Sequence, residues 1–347
     1  MKTSVSTMSK IVGNDDLRHS LSRDILSGTL SHAYIIEGAQ GSGRRTLALN
    51  VAAAMACIEG NKGSSGSVPC YECIHCKKIL ERKSPDVIFV GSDGKASVGV
   101  DAIRFIKEDV HVIPNDLEHK FYIIEDADKM TSQAQNALLL TLEEPPSFVH
   151  FFLISENSGA LLETIRSRAP ILRTQLLSDK CIDEYVSLND RRALMMKEAS
   201  PEEYTELIRA ANGTIGSALA LLDTKLWSSI AQQRSLAKTF VLSAVESRSA
   251  KDVLPMLQSF STKRDILSEQ LSLILAALRD LILLKKSEDA LPCFFSDRDE
   301  AICLCDRVSI TFLNSLYNAV SAAIDENKRN ANVKLLLTKM LLEANLI

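Results

Sequence analysis

The chain has 347 residues, a formal net charge of −4 and 46% hydrophobic side chains, with aromatic residues at only 5%. That length suffices for about two or three helix-rich domains, and the slightly acidic balance argues against a module that grips nucleic acid alone, which needs a basic surface. Residues 1–10 lack the apolar core of a secretory leader, and the longest greasy stretch, 271–284, is broken by Arg279 and Asp280 and is too short for a bilayer, so a cytoplasmic protein without membrane contact is expected.

In chain order, apolar runs at 33–37, 87–90, 121–124, 148–155 and 171–174 read as buried strands. Helical patterns at 44–57, 101–110, 132–144 and 159–166 alternate with them. This predicts an α/β fold with a parallel sheet covered on both faces. Ser132 with Gln135 reads as a capping box, and Pro145 with Pro146 as the stop of that helix. Beyond Thr174 the strand signals cease. Residues 178–223 hold three short helical patterns around a turn at Gly213–Gly216, and 225–347 are wholly helical apart from a loop at 287–298. A stripe of Leu271, Ile274, Leu275, Leu278, Leu281 and Ile282 marks the core of that last part. The chain therefore divides into an α/β domain at 1–176, a small helical domain at 177–224 and an all-α domain at 225–347. No internal repeat is evident.

Between the first strand and the first helix stands Gly38-Ala39-Gln40-Gly41-Ser42-Gly43-Arg44-Arg45-Thr46. Strand, glycine-rich loop and helix, in that order, make a P-loop-type phosphate cradle. A working loop carries Lys where Arg44 stands, to reach the outer phosphates, and Ser or Thr where Arg45 stands, to hold Mg²⁺. The planar fork of Arg44 is not equivalent to a compact ammonium, and Arg45 has no oxygen to offer a metal. The strand at 121–124 ends in Glu125 and Asp126, the reverse of the Asp-then-Glu order that places metal and attacking water. The longer acid falls at the metal position, and the would-be base is shortened by a methylene. Two impaired motifs in one chain point to a nucleotide fold in which ATP is not bound productively.

Of eight cysteines, Cys57, Cys70, Cys73 and Cys76 form C-x12-C-x2-C-x2-C. Close C-x2-C pairs suit one tetrahedral ion, and the Gly/Ser-rich segment 60–69 can bring Cys57 round to the rest, which predicts a structural Zn²⁺ in a module at about 57–80. His75 sits too tightly between two ligands to serve as one. Cys181, Cys293, Cys303 and Cys305 are scattered and read as ordinary packing residues. The segment Thr164-Ile165-Arg166-Ser167-Arg168-Ala169-Pro170 leads from a helix into a strand, where two arginines alone would suggest only solvated charge.

In order along the chain come Ser31-His32-Ala33-Tyr34, the glycine loop, the four cysteines, Val100-Asp101-Ala102-Ile103-Arg104, Asn136-Ala137-Leu138-Leu139, Leu142-Glu143-Glu144-Pro145-Pro146 and Ser167-Arg168. This series resembles the clamp-loader subunits of bacterial DNA polymerase III, of the AAA+ class, across 1–224. Residues 330–342 resemble the family's closing collar helix. The resemblance implies a helical lid at 177–224 and a collar at 225–347 that joins a ring. It implies gamma/tau and delta subunits as partners, with the sliding clamp and primed DNA reached through the complex. Arg168 matches the arginine that projects into a neighbour's ATP site, an arginine finger in trans, although the cysteine after it in the family is Ala169 here. Gly213-Thr214-Ile215-Gly216-Ser217 matches the second sensor region, where ATP-using relatives commonly carry an arginine near Ser217. The implied subunit is a non-catalytic one. A gamma/tau-type motor with an unusual loop is the alternative, and the absent Lys and Ser/Thr weigh against it. A stand-alone zinc DNA-binding protein is disfavoured by the missing basic stripe.

Overall fold

The computed structural model describes residues 8–59, 68–91, 97–246, 253–287, 290, 292–344 and 346, so most of the expected linker, 60–67, lies outside the described residues. The chain forms two compact units, Met1–Tyr185 with Gly213–Ser217, and Val186–Asn212 with Ala218–Ile347.

In the first unit, β1 (Ala33–Glu37), β2 (Val87–Val90), β3 (Lys120–Ile124), β4 (Val149–Ser155) and β5 (Ile171–Arg173) make one sheet of order β2-β3-β4-β1-β5. Every pairing is parallel. These strands were legible as unbroken apolar runs because both faces are covered and alternation is lost. Tyr34, Ile36, Phe121, Ile123 and Phe152 turn to one core. Ala33, Ile35, Tyr122, Ile124, Phe151 and Leu153 turn to the other. The first core is closed by α2 (Arg44–Met55), whose Leu- and Ala-rich run buries every residue from Leu47 to Ala54. The second is closed by α4 (Val100–Asp109) and α5 (Ser132–Glu143), through Ile103, Ile106, Ala134, Leu138 and Leu142. Two further helices, α1 (Asp15–Ser27) and α3 (Ile74–Leu80), add elements that the periodicity did not reveal.

Two local expectations are corrected. The N-cap of α5 is Thr131, whose hydroxyl accepts the Ala134 N–H at 3.2 Å, so Ser132 and Gln135 form no capping box. Gln135 is buried and has other work: its amide donates to the Met130 and Ala160 carbonyls and accepts the Leu162 N–H at 2.8 Å. Those bonds also break the helix expected at 159–166. It divides into a 3₁₀ turn, Ser158–Ala160, and the short α6 (Glu163–Arg166), with Leu161 and Leu162 extended between them.

Four helices stand where three patterns were read: α7 (Asp179–Asn189), α8 (Arg191–Ala199), α9 (Pro201–Ala210) and α10 (Ile215–Leu221). The last begins inside the predicted Gly213–Gly216 turn. In the second unit, α11 (Thr224–Glu246), α12 (Arg264–Lys286), α13 (Arg298–Asp306), α14 (Ile310–Lys328) and α15 (Val333–Glu343) build an all-helical core. The central α12 buries Leu267, Leu271, Ile274, Leu278 and Leu281 at alternating spacings of four and three, one continuous stripe. Among the described residues no helix is long and apolar enough to cross a membrane.

Candidate functional site

Sheet order builds the first site. Because β1 and β3 both border β4, the glycine loop after β1 and the acids after β3 flank the end of β4, the crevice in which open α/β sheets bind ligands. A cavity of about 620 Å³ opens there, lined by Gly41, Gly43, Arg44, Arg45, Thr46, Glu125 and Asp126, and also by Arg82, Lys129, Glu156 and Gly216. Gly38 lies below it, facing the Thr174 hydroxyl. Gly41 adopts φ 78°, and the Gly216 N–H donates to its carbonyl at 3.0 Å. A methyl group on Gly216 would come within 2.7 Å of the Gly41 α-carbon, so the start of α10 roofs the loop backbone to backbone.

The cavity is densely charged and largely self-paired. Arg44 reaches Glu156 at 3.3 Å, with its side chain only 12% exposed. Arg45 forks onto Glu125 through both Nε and Nη2. Lys129 meets Asp126 at 3.0 Å; the hydrogen bond to that carboxylate and then its charge raise the ammonium above its ordinary pKa. Asp126 itself holds a left-handed φ of 51°. Arg82 stacks over Phe89, 4.7 Å from the ring centroid. Arg45, at the position where the sequence predicts the loss of a metal-binding hydroxyl, thus clasps Glu125 of its own chain. Arg82, Lys129 and Glu156 were missed from the sequence, since only the order of strands brings them together.

The second site is the cysteine cluster. Cys57 follows α2, Cys73 caps α3, and Cys76 lies in its first turn. The sulfurs of Cys57, Cys70, Cys73 and Cys76 all lie within 4.8 Å of one another, and three of the four residues are buried. Cys70 and Cys76 sulfurs stand 3.9 Å apart. A tetrahedral ion with bonds of ~2.3 Å requires about 3.8 Å, so the donor set fits a metal ion. Backbone N–H groups of Cys70, Cys73 and Cys76 point at the sulfurs of Cys57, Cys70 and Cys73. Burial pushes the Cys70 thiol up, but N–H groups of Cys73 and Glu72, with the neighbouring thiols, outweigh it and bring it to about 7. Burial, first, and the Cys73 contact push Cys76 up. His75 turns its Nδ1 to the Ala56 carbonyl at 3.1 Å and takes no part.

Arg168 stands outside the cavity, just past α6. Its Nη2 donates to Glu143 at 2.7 Å and its Nη1 to the Thr164 carbonyl at 2.9 Å, and the side chain is 35% exposed. Arg166 is exposed on the same turn. Ser217 receives a hydrogen bond from the Thr214 hydroxyl at 2.7 Å beneath the roof of the loop.

Fold and site together define a P-loop-type α/β protein with a second, all-helical unit. Within that class, residues 13–178 match the family described as "DNA polymerase III, delta subunit". The chain is 39% identical over 155 residues to DNA polymerase III subunit delta' of Bacillus subtilis (strain 168), covering 45% of each. It is 30% identical over 216 residues to subunit gamma of Buchnera aphidicola subsp. Acyrthosiphon pisum (strain APS), covering 61% of this chain and 57% of that one. It is 32% identical over 214 residues to subunit tau of Bacillus subtilis (strain 168), covering 61% and 36%. The chain thus spans less than two thirds of the length of each of these relatives. The chain is similar to gamma, tau and delta' subunits alike.

Proposed function

We propose that this chain is a delta-prime-type subunit of a DNA polymerase III clamp loader, one that does not hydrolyse ATP itself. The observation that carries this reading is the self-paired glycine loop. Arg45 clasps Glu125 where a hydroxyl and an acid would organise Mg²⁺, and Arg44 is drawn to Glu156 where an ammonium would reach the phosphates. In this reading the subunit is a cytoplasmic stator. Residues 177–224 form its lid and 225–347 its collar within a ring of gamma/tau and delta subunits, which loads the sliding clamp onto primed DNA. Cys57, Cys70, Cys73 and Cys76 hold one structural Zn²⁺, which cross-links the module and, with four protein ligands, leaves no position for catalysis.

Arg168 supplies the trans contribution. Glu143 and the Thr164 carbonyl hold its guanidinium at the surface, apart from the chain's own cavity, so it is available to an ATP site on a neighbour. A positive charge placed at a γ-phosphate of that kind is worth ~10³–10⁵ in rate. Arg168→Ala is expected to leave fold and ring assembly intact and to lower DNA-stimulated ATPase of the reconstituted complex partially, because other sites remain. Arg168→Lys should not restore it fully, since a point charge lacks the guanidinium fork. Loss of activity in Arg166→Ala but not Arg168→Ala moves the assignment by two residues.

A second reading, a gamma/tau-type motor, draws on the relatives named gamma and tau. Steady-state ATPase of the pure chain separates the two: background rates are expected, and genuine turnover establishes the motor.

A further inference from the structure

The helical unit contains a cleft that the clamp-loader reading does not use. Arg234, on α11, is only 8% exposed. Its Nη2 donates to the Phe294 carbonyl at 2.7 Å, and its guanidinium lies 4.6 Å from the Phe294 ring centroid. This bond anchors the loop after α12. The same loop is held from its N–H side by buried Asp280, which accepts from Phe294 at 2.5 Å. Anchoring occupies one nitrogen only. Among the described residues Arg234 has no carboxylate within ion-pair distance, although the charges of Glu206 and Asp280 act on it from farther off, and its Nε and Nη1 have no hydrogen-bond partner yet are not sealed off from solvent. A guanidinium so deeply placed, with two donors unspent, is preorganised to take a further anionic oxygen.

The donors border two cavities. The smaller, about 250 Å³, offers Lys238 and Glu206, but Lys238 is paired with Glu300 at 2.7 Å and Glu206 accepts from the Ser296 hydroxyl. Its polar groups are already matched. The larger, about 420 Å³, has apolar walls of Ile230, Leu273, Ala276 and Phe294, with Arg279 and Glu269 exposed at its rim. An apolar-walled cleft of this size with a few polar and charged groups is the usual form of a small-molecule site.

We propose that this cleft binds a small amphipathic monocarboxylate, its carboxylate on Arg234 and its apolar body along Ile230, Leu273 and Ala276. The planar fork matches a carboxylate in shape. A dianionic phosphate would carry a second charge against apolar walls. The proposal depends on the helical unit alone and stands or falls separately from the clamp-loader reading.

Octanoate titrated into the full chain and followed by calorimetry is expected to saturate at one site, with neutral octanamide about ten-fold weaker or worse. Ala276→Trp fills the cleft without touching the guanidinium and should weaken octanoate by about ten-fold or more at unchanged circular dichroism. Arg234→Gln keeps a donor for Phe294 and should bring octanoate and octanamide to parity. Equal binding of the two probes by the unmodified chain, full octanoate affinity in Ala276→Trp, or no octanoate binding in the millimolar range overturns the proposal.

Discussion

The glycine-loop cavity and the cysteine cluster lie at opposite ends of the same helix, α2, and solve opposite problems. At the loop end, Arg44, Arg45 and Lys129 find acids of their own chain, so most of the charge is paired before any ligand arrives. At the cluster end four sulfurs converge on a point, receiving backbone N–H groups, while the Cys76 thiol also donates to the Ala53 carbonyl. Similar density of chemistry therefore means different things. A site whose charges pair internally has little need of a ligand, whereas four converging sulfurs form a donor set that a metal ion would fit.

The largest effect that tests this contrast falls on the cluster. Protein purified without chelator should carry about one equivalent of zinc by metal analysis, and Cys73→Ser should lose most of it. The variant should become protease-sensitive around 57–80 while its sheet keeps the parent's circular dichroism. A metal-free parent that is equally protected would make the cluster a plain core, like buried Cys305, whose thiol donates to the Leu281 carbonyl.

A pH effect comes next, at the N-terminal ends of β3 and β4, where burial outweighs the nearby charge of Glu118 on His119. His119 and His150 rings lie 5.0 Å apart, and His119 Nδ1 and His150 Nε2 have no partner. Burial, then the neighbouring His119, lowers the His150 pKa to about 4. The folded state thus refuses a proton that the unfolded chain accepts near its ordinary value of ~6.5. Stability from this source is complete above that value and is lost as pH falls towards 4. Thermal melts across that window should show the decline, and His150→Phe, which keeps the stack on Phe121, should flatten it.

The smallest effect belongs to the loop. Arg45 and Glu125 side chains are 47% and 24% exposed, so Glu125→Gln should cost only about 0–1 kcal/mol in denaturant unfolding. Its consequence should appear in binding instead. Glu125→Gln with Glu156→Gln frees both arginines and should create salt-sensitive affinity for inorganic triphosphate that the parent lacks, by calorimetry. Arg44→Lys with Arg45→Thr should still give no turnover, because the Glu125–Asp126 order remains reversed.

All five strands were legible because buried parallel strands such as 121–124 are solid apolar runs. The helix α1, with Asp15, Asp16, Arg18, His19, Arg23 and Asp24 among few apolar residues, buries only Leu21 and Ser22 fully and gave little periodic signal. The break at Leu161 and Leu162 could not be read locally, since Gln135, distant in sequence, imposes it. Within the site, Arg44, Arg45, Glu125 and Asp126 were legible as neighbours of strand ends. Glu156 and Lys129 were not, because their meaning comes from which strand lies beside which.

At the seam between Gly41 and Gly216 only α-hydrogens separate two main chains. Such a joint has no rotamers through which to yield by degrees, so it stays shut or parts as a whole. Parting of this roof would then be a single cooperative event rather than a matter of breathing side chains. The Gly216 amide, bonded to the Gly41 carbonyl, is its natural reporter: its hydrogen-exchange rate would count the openings one by one.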